Sequence, residues 1–141
     1  MGGVYSVMDM SSMILAYGAP ELSLLSAALT EMAQFVGLPM FSTAGCTDTK
    51  ILDPQGAIEA STSVHSAMLS GANFIHDVGY FESGMTGSVL QLVMADEQIG
   101  MSHVVAGGIE INEETLAVEE ICSAGPGGHY IDTDHTKKFA A

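Results

Sequence analysis

The sequence predicts an α/β fold built from consecutive β/α units of a parallel sheet. Three observations carry this. Short β-like runs alternate with helix-like stretches along all 141 residues. Phe41 and Ile75, at matching places in two successive β-like runs, define a spacing that fits one β/α unit. Helical stretches open on proline and close on glycine, the asymmetry expected of true helix ends.

The elements follow in order. Residues 4–17 bring Val, Tyr, Met, Ile and Leu together and read as one or two strands. Pro20 suits a first helical turn, where its missing N–H is not needed. Leu22, Leu25, Leu29, Met32 and Val36 then recur at helical spacing and predict one apolar face, with Gly37 as the stop. Residues 38–44 form the next strand, expected to be buried on both sides. Asp53-Pro54 is a strong helix start, and an Ala- and Ser-rich helix runs to about residue 70, ending at Gly71. Residues 73–77 are a further strand. A third helix is expected over 84–106 with Val89, Leu92, Val93 and Ile99 inward. Asn112 caps a fourth, with Glu113 and Glu114 favourable in its first turn. Cys122 falls on the inner side of a short helix and reads as core. Gly125-Pro126-Gly127-Gly128 breaks the chain before an acidic, helix-prone tail. No linker or low-complexity segment interrupts residues 1–141, so a single domain piece is expected.

Charge narrows the function classes. There are 17 Asp and Glu against three lysines, Lys50, Lys137 and Lys138, and the formal net charge is −14. A nucleic-acid binder needs a basic stripe to neutralise phosphates, and an anionic membrane surface repels such a chain. Neither partner is expected. The acidity is mainly a solubility device that also mildly concentrates cations. No signal peptide or run of apolar residues long enough for a membrane span is seen, and two cysteines make no disulfide scaffold, so a cytoplasmic protein is expected.

Chemistry-bearing residues gather after two of the strands. Gly45-Cys46-Thr47-Asp48-Thr49-Lys50 follows the first, and His76-Asp77-Val78-Gly79-Tyr80-Phe81-Glu82-Ser83-Gly84 follows the second. Parallel strands end on one rim, so both groups share it, and glycines beside polar residues suit backbone that approaches a ligand closely. Each group also has a plainer reading. Cys46 alone suits a small buried residue, and His76-Asp77 suits a strand end closed by local hydrogen bonds. His65 sits mid-helix and reads as packed or superficial. Cys46 with His76 or Asp77 offers zinc-ligand types, yet no pair stands at metal spacing, and no bound metal is expected.

The stretches Tyr17-Gly18-Ala19-Pro20-Glu21, Ala44-Gly45-Cys46-Thr47-Asp48-Thr49-Lys50, Gly71-Ala72-Asn73, Glu82-Ser83-Gly84-Met85-Thr86-Gly87-Ser88 and Glu113-Glu114-Thr115-Leu116-Ala117, in this order and spacing, resemble the trimethylamine methyltransferase family. The resemblance covers nearly the whole chain. It implies part of a (β/α)8 barrel, the later β/α units, because a whole barrel needs about 250 residues. The archaeal trimethylamine enzymes carry pyrrolysine where this chain has Cys46. The chain is therefore similar to the pyrrolysine-free branch that includes glycine betaine methyltransferases, as is the form His76-Asp77-Val78-Gly79-Tyr80. That branch moves a methyl group from a quaternary amine to the Co(I) of a separate corrinoid protein. The resemblance implies no tightly bound cofactor, a cobalamin-type acceptor on a partner, and a methylated amine as substrate. Cys46, Asp48, His76 and Asp77 are the candidate catalytic residues, and because aromatic faces and carboxylates suit a methylated cation, Tyr80, Phe81 and Glu82, with Asp48 and Asp77, are the candidates to bind the substrate. Open sheet edges in a partial barrel also imply pairing with another copy, and a non-catalytic self-associating fragment is the competing reading. A zinc-dependent methyl transfer through Cys46 is the third.

Overall fold

A computed structural model describes residues 1–140. They form two compact units, Met1–Gly107 and a second that begins at Gly108.

The first unit is built on two parallel strands, β3 (Phe41–Thr43) and β4 (Phe74–His76), joined through a helix. Their register pairs Phe41 with Phe74, Ser42 with Ile75 and Thr43 with His76. Gly2 adds a parallel bridge to Phe41 on the other side. Ahead of β3 come a small antiparallel hairpin, β1 (Met8–Asp9) with β2 (Ile14–Leu15), and helix α1 (Pro20–Phe35). Helix α2 (Pro54–Leu69) connects β3 to β4. A second hairpin, β5 (Tyr80–Phe81) with β6 (Thr86–Gly87), then leads into α3 (Val89–Gly107).

The helix ends obey the local rules. Pro20 and Pro54 occupy first-turn positions, and the Asp53 side chain accepts the Gly56 N–H at 2.8 Å as the cap of α2. The predicted strands over 4–17 are β1 and β2. The third helix starts at Val89 rather than near Gly84, because the β5–β6 hairpin uses the intervening residues.

The helices pack on a different face from the one periodicity suggests. In α1 the buried residues are Leu22, Ser26, Thr30 and Ala33, while Leu25 and Met32 are exposed. In α2 they are Gly56, Ala60, Ser63, Val64 and Ala67. In α3 they are Gln91, Ala95, Gln98 and Ser102, whereas Val89, Leu92 and Val93 lie exposed and only Ile99 joins the core. Small side chains let backbones approach, so α2 seats between α1 and α3 through Ala and Ser contacts. The larger apolar residues are left outward. The core is correspondingly small: Ala44, Val64 and Ala67, with Met68, Ile75, Val78 and Ile99 against them. Strand β3 is covered on both faces at Ser42 and Thr43, but Leu38 and Phe41 are exposed, contrary to expectation for 38–44.

The second unit holds three short helices, α4 (Glu113–Leu116), α5 (Val118–Ala124) and α6 (Asp134–Phe139). Asn112 caps α4 as predicted: its side chain accepts the Thr115 N–H at 2.9 Å, and Thr115 Oγ1 accepts the Asn112 N–H at 2.9 Å. Cys122 on α5 is exposed, not core, because these short helices bury nothing fully. Among the described residues no helix is long and apolar enough to cross a membrane.

Candidate functional site

The rim beyond β3 and β4 is assembled by continuing the strand pairing into the loops. The Ala44 N–H donates to His76 O at 3.0 Å, the Thr47 N–H to Tyr80 O at 3.0 Å, the Glu82 N–H to Thr49 O at 3.0 Å and the Ser83 N–H to Thr47 O at 3.1 Å. Parallel strands end together, so Cys46, Asp48, His76 and Asp77 come to one end of the sheet. The turn geometry is tight. Gly45 has φ +83°, and a Cβ there would stand 2.6 Å from Val78 Cγ1, so no larger residue fits. Asp77, Glu82 and Ser83 adopt left-handed φ values of 77°, 50° and 55° without being glycine. Such backbone costs on the order of 1 kcal/mol per residue and persists only where the surroundings fix it.

Cys46 is 2% exposed. Burial, then the charges of Asp77 and Asp48, push its thiol up to about 12. At neutral pH it is a protonated thiol, which opposes both thiolate attack and the thiolate form zinc uses. Among the described residues no three His, Cys, Asp or Glu side chains are grouped to hold a metal ion.

Asp48 ties three loops together. Its Oδ1 accepts the Tyr17 N–H at 2.9 Å and the Ser83 hydroxyl at 2.8 Å, and its own N–H donates to Glu59 Oε2 at 2.9 Å. The Tyr17 phenol belongs to the same group: burial, then the Asp77 carboxylate and Cys46, hold its pKa above the usual tyrosine value. His76 is fixed on both ring nitrogens, with Nε2 at 3.1 Å from Thr43 Oγ1 and Nδ1 at 2.7 Å from Asp77 Oδ1. Its ring stacks on Phe41 at 4.3 Å, and Phe41 stacks on Phe74 at 5.0 Å.

The remaining predicted residues are placed unequally. Tyr80 is exposed at the rim. Phe81 is 5% exposed and packed inside, so its ring offers no open face. The Glu82 carboxylate is engaged by the Thr86 hydroxyl at 2.7 Å and by Lys50 at 3.7 Å. His65, read as packed or superficial, has Nδ1 3.3 Å from Ser102 Oγ. Sequence reasoning missed Tyr17 and Glu59 as members of this group, and placed Ser83 on the rim without giving it a partner. Tyr17 carried a usable signal, since it opens one of the stretches, Tyr17-Gly18-Ala19-Pro20-Glu21, that carry the family resemblance. Glu59, one carboxylate on the second turn of a helix, carried none.

Three open grooves lie elsewhere among the described residues, one of about 400 Å³ beside Val78, Leu92, Val93, Asp96 and Ile99. Another of about 390 Å³ in the first unit is lined by Val64, Met68, Ile75, Val78, Ile99 and His103. One of about 770 Å³ in the second unit is acidic, and its Glu114 and Asp134 are paired with Lys138 and Lys137. None of the three holds the converging polar groups of the rim.

Comparison with known proteins places these features in context. The family model described as trimethylamine methyltransferase (MTTB) matches residues 1–140. The chain is 37% identical over 135 residues to trimethylamine methyltransferase MttB of Desulfitobacterium hafniense, covering 96% of this chain and 27% of that protein. It is 37% identical over 138 residues to trimethylamine methyltransferase MttB of Methanosarcina thermophila, covering 98% and 29%. It is 34% identical over 138 residues to a glycine betaine methyltransferase of Desulfitobacterium hafniense, covering 97% and 29%. The chain thus spans little more than a quarter of the length of these relatives, and the three identities do not separate the two substrate names.

Proposed function

Because the chain belongs to the trimethylamine methyltransferase family, we propose that it contributes the substrate rim of an enzyme that demethylates a quaternary amine of the glycine betaine class. In this reading the methyl acceptor is the Co(I) of a corrinoid protein. The observation that carries it is the geometry at position 46: a fully buried thiol on the same sheet end as Asp48 and Asp77, with the Tyr17 N–H bound to Asp48. Such a site offers no reactive group to capture a neutral amine. It offers negative charge and an aromatic ring to a ligand that is already cationic.

The chemistry asks little of the protein beyond placement. Cobalt on the partner protein supplies the nucleophile that takes the methyl carbon as the C–N bond breaks. The nitrogen keeps the bonding pair and leaves as a neutral amine, so no acid is required. Asp48 and Asp77 bind the cation, with Tyr17 and the exposed Tyr80 contributing ring faces, each worth roughly 0.5–2 kcal/mol. His76, held by Thr43 and Asp77, fixes the Asp77 carboxylate. Fixing the donor in line with its acceptor supplies most of the acceleration expected of such a site. The βαβ arrangement of β3, α2 and β4 and the parallel bridge at Gly2 support reading the first unit as part of a (β/α)8 barrel.

The test is a substrate panel with the intact gene product and cob(I)alamin, followed by the loss of Co(I) absorbance. Glycine betaine or a related quaternary amine supports methylation and trimethylamine does not. Turnover of trimethylamine with betaines ignored overturns the reading.

A second reading is favoured by the exposed apolar side chains, among them Phe35 at 84% and Val89 at 78% exposure. In it the isolated chain is a non-catalytic piece that pairs with further copies.

A further inference from the structure

Glu59 lies on the second turn of α2, yet its carboxylate reaches into the rim. Oε2 accepts the Asp48 N–H at 2.9 Å and Oε1 accepts from Gln55 Nε2 at 2.7 Å. The same carboxylate lies against Gly18: a Cβ there would stand 2.2 Å from Oε2 and 2.4 Å from Cδ. The neighbour of Gly18, Tyr17, donates its N–H to Asp48 Oδ1, which also accepts the Ser83 hydroxyl. Asp48 Oδ1 is therefore doubly occupied, while Oδ2 accepts no hydrogen bond among the described residues.

We propose that Glu59 is a positioning residue, which holds the Asp48 main chain and the Tyr17-Gly18 segment so that Asp48 Oδ2 and the Tyr17 ring face one quaternary ammonium group. The proposal rests on the functional reading above. Its physical basis is the way the two carboxylates meet. Like charges repel, and Glu59 avoids the Asp48 carboxylate by binding its amide, an anion-to-N–H bond that is shorter and stronger than a neutral one. The Asp48 side chain is bound instead by the Tyr17 N–H and the Ser83 hydroxyl. The hydrogen at Gly18 has a corresponding reason, since any side chain there occupies the place of the Glu59 carboxylate.

The experiment measures tetramethylammonium binding to the full chain by titration calorimetry, together with thermal unfolding, for the original protein, Glu59→Ala, Glu59→Gln, Gly18→Ala and Gly18→Ala/Glu59→Ala. Glu59→Ala weakens binding about tenfold, the scale of one hydrogen bond to a charged group. Glu59→Gln, whose amide oxygen still accepts the Asp48 N–H, recovers most of that loss. Gly18→Ala displaces the flexible end of Glu59 rather than any backbone, and weakens binding as Glu59→Ala does with an unchanged unfolding temperature. The double variant is no weaker than Glu59→Ala. Unchanged binding in Glu59→Ala overturns the inference and leaves the functional reading standing. So does a Gly18→Ala loss that adds fully to that of Glu59→Ala, or a loss that only follows a falling unfolding temperature. Absence of binding in the original protein sinks the functional reading and this inference together.

Discussion

The thiol of Cys46 gives a direct test at the level of single residues. Its pKa is raised from 9.0 to about 12, so the folded state holds the proton over a range where the unfolded chain releases it. The stability linked to it is complete below about pH 9 and is lost as pH rises toward 12. Denaturant unfolding followed across that window reads this slope, and Cys46→Ala removes the thiol's share, leaving that of Tyr17, whose raised pKa acts in the same sense. The same burial protects the sulfur from reagents: at pH 8 an alkylating agent modifies exposed Cys122 and leaves Cys46 until the chain unfolds. Mass spectrometry of the two tryptic peptides distinguishes them. For the carboxylates, Asp77→Asn and Asp48→Asn each lower betaine-dependent methylation by about tenfold or more, because each removes one charge facing the cation. Full activity in both variants removes the carboxylates from the site.

Among the elements, α2 does the most to fix the rim. Its cap residue, Asp53, binds the Gly56 N–H through one oxygen and the Thr49 hydroxyl, at 3.1 Å, through the other. Asp53→Ala therefore loosens the helix start and the loop after β3 together, and is expected to cost about 0.5–2 kcal/mol in a denaturant titration. The close seating of α2 against α3 depends on small residues: Ala60 and Ala95 are fully buried. Ala95→Leu forces extra volume into that contact and is expected to destabilise by about 1–3 kcal/mol. A neutral result would show that the two helices do not pack closely. Helix ends were legible in the sequence because caps, prolines and glycines act within one turn. The buried faces of α1 and α3 were not. Apolar periodicity marks which residues can be buried, whereas the contact partner decides which are. Here Ser26, Thr30, Gln91 and Gln98 go inward, and Met32, Leu92 and Val93 stay out.

On the scale of the whole molecule, exposed apolar side chains and a net charge of −14 oppose one another. Repulsion between like-charged copies weakens as salt screens it, while apolar attraction does not. Sedimentation is expected to show association that grows with protein concentration and with added salt; a monomer under both conditions rejects the self-association reading. The sequence by itself determined the helix starts at Pro20, Asp53 and Asn112, the family, and the placing of Cys46 and His76-Asp77 on one rim. These follow from local stereochemistry and from the common direction of parallel strands, both written in short stretches of chain. Only the tertiary structure decided that the charges of Asp77 and Asp48 act on the buried thiol, that Phe81 turns inward, and that Tyr17, Glu59 and Ser83 converge on Asp48. The contacts to Asp48 join residues 11 to 35 positions apart, from two loops and a helix, and no local rule specifies which side chains meet there.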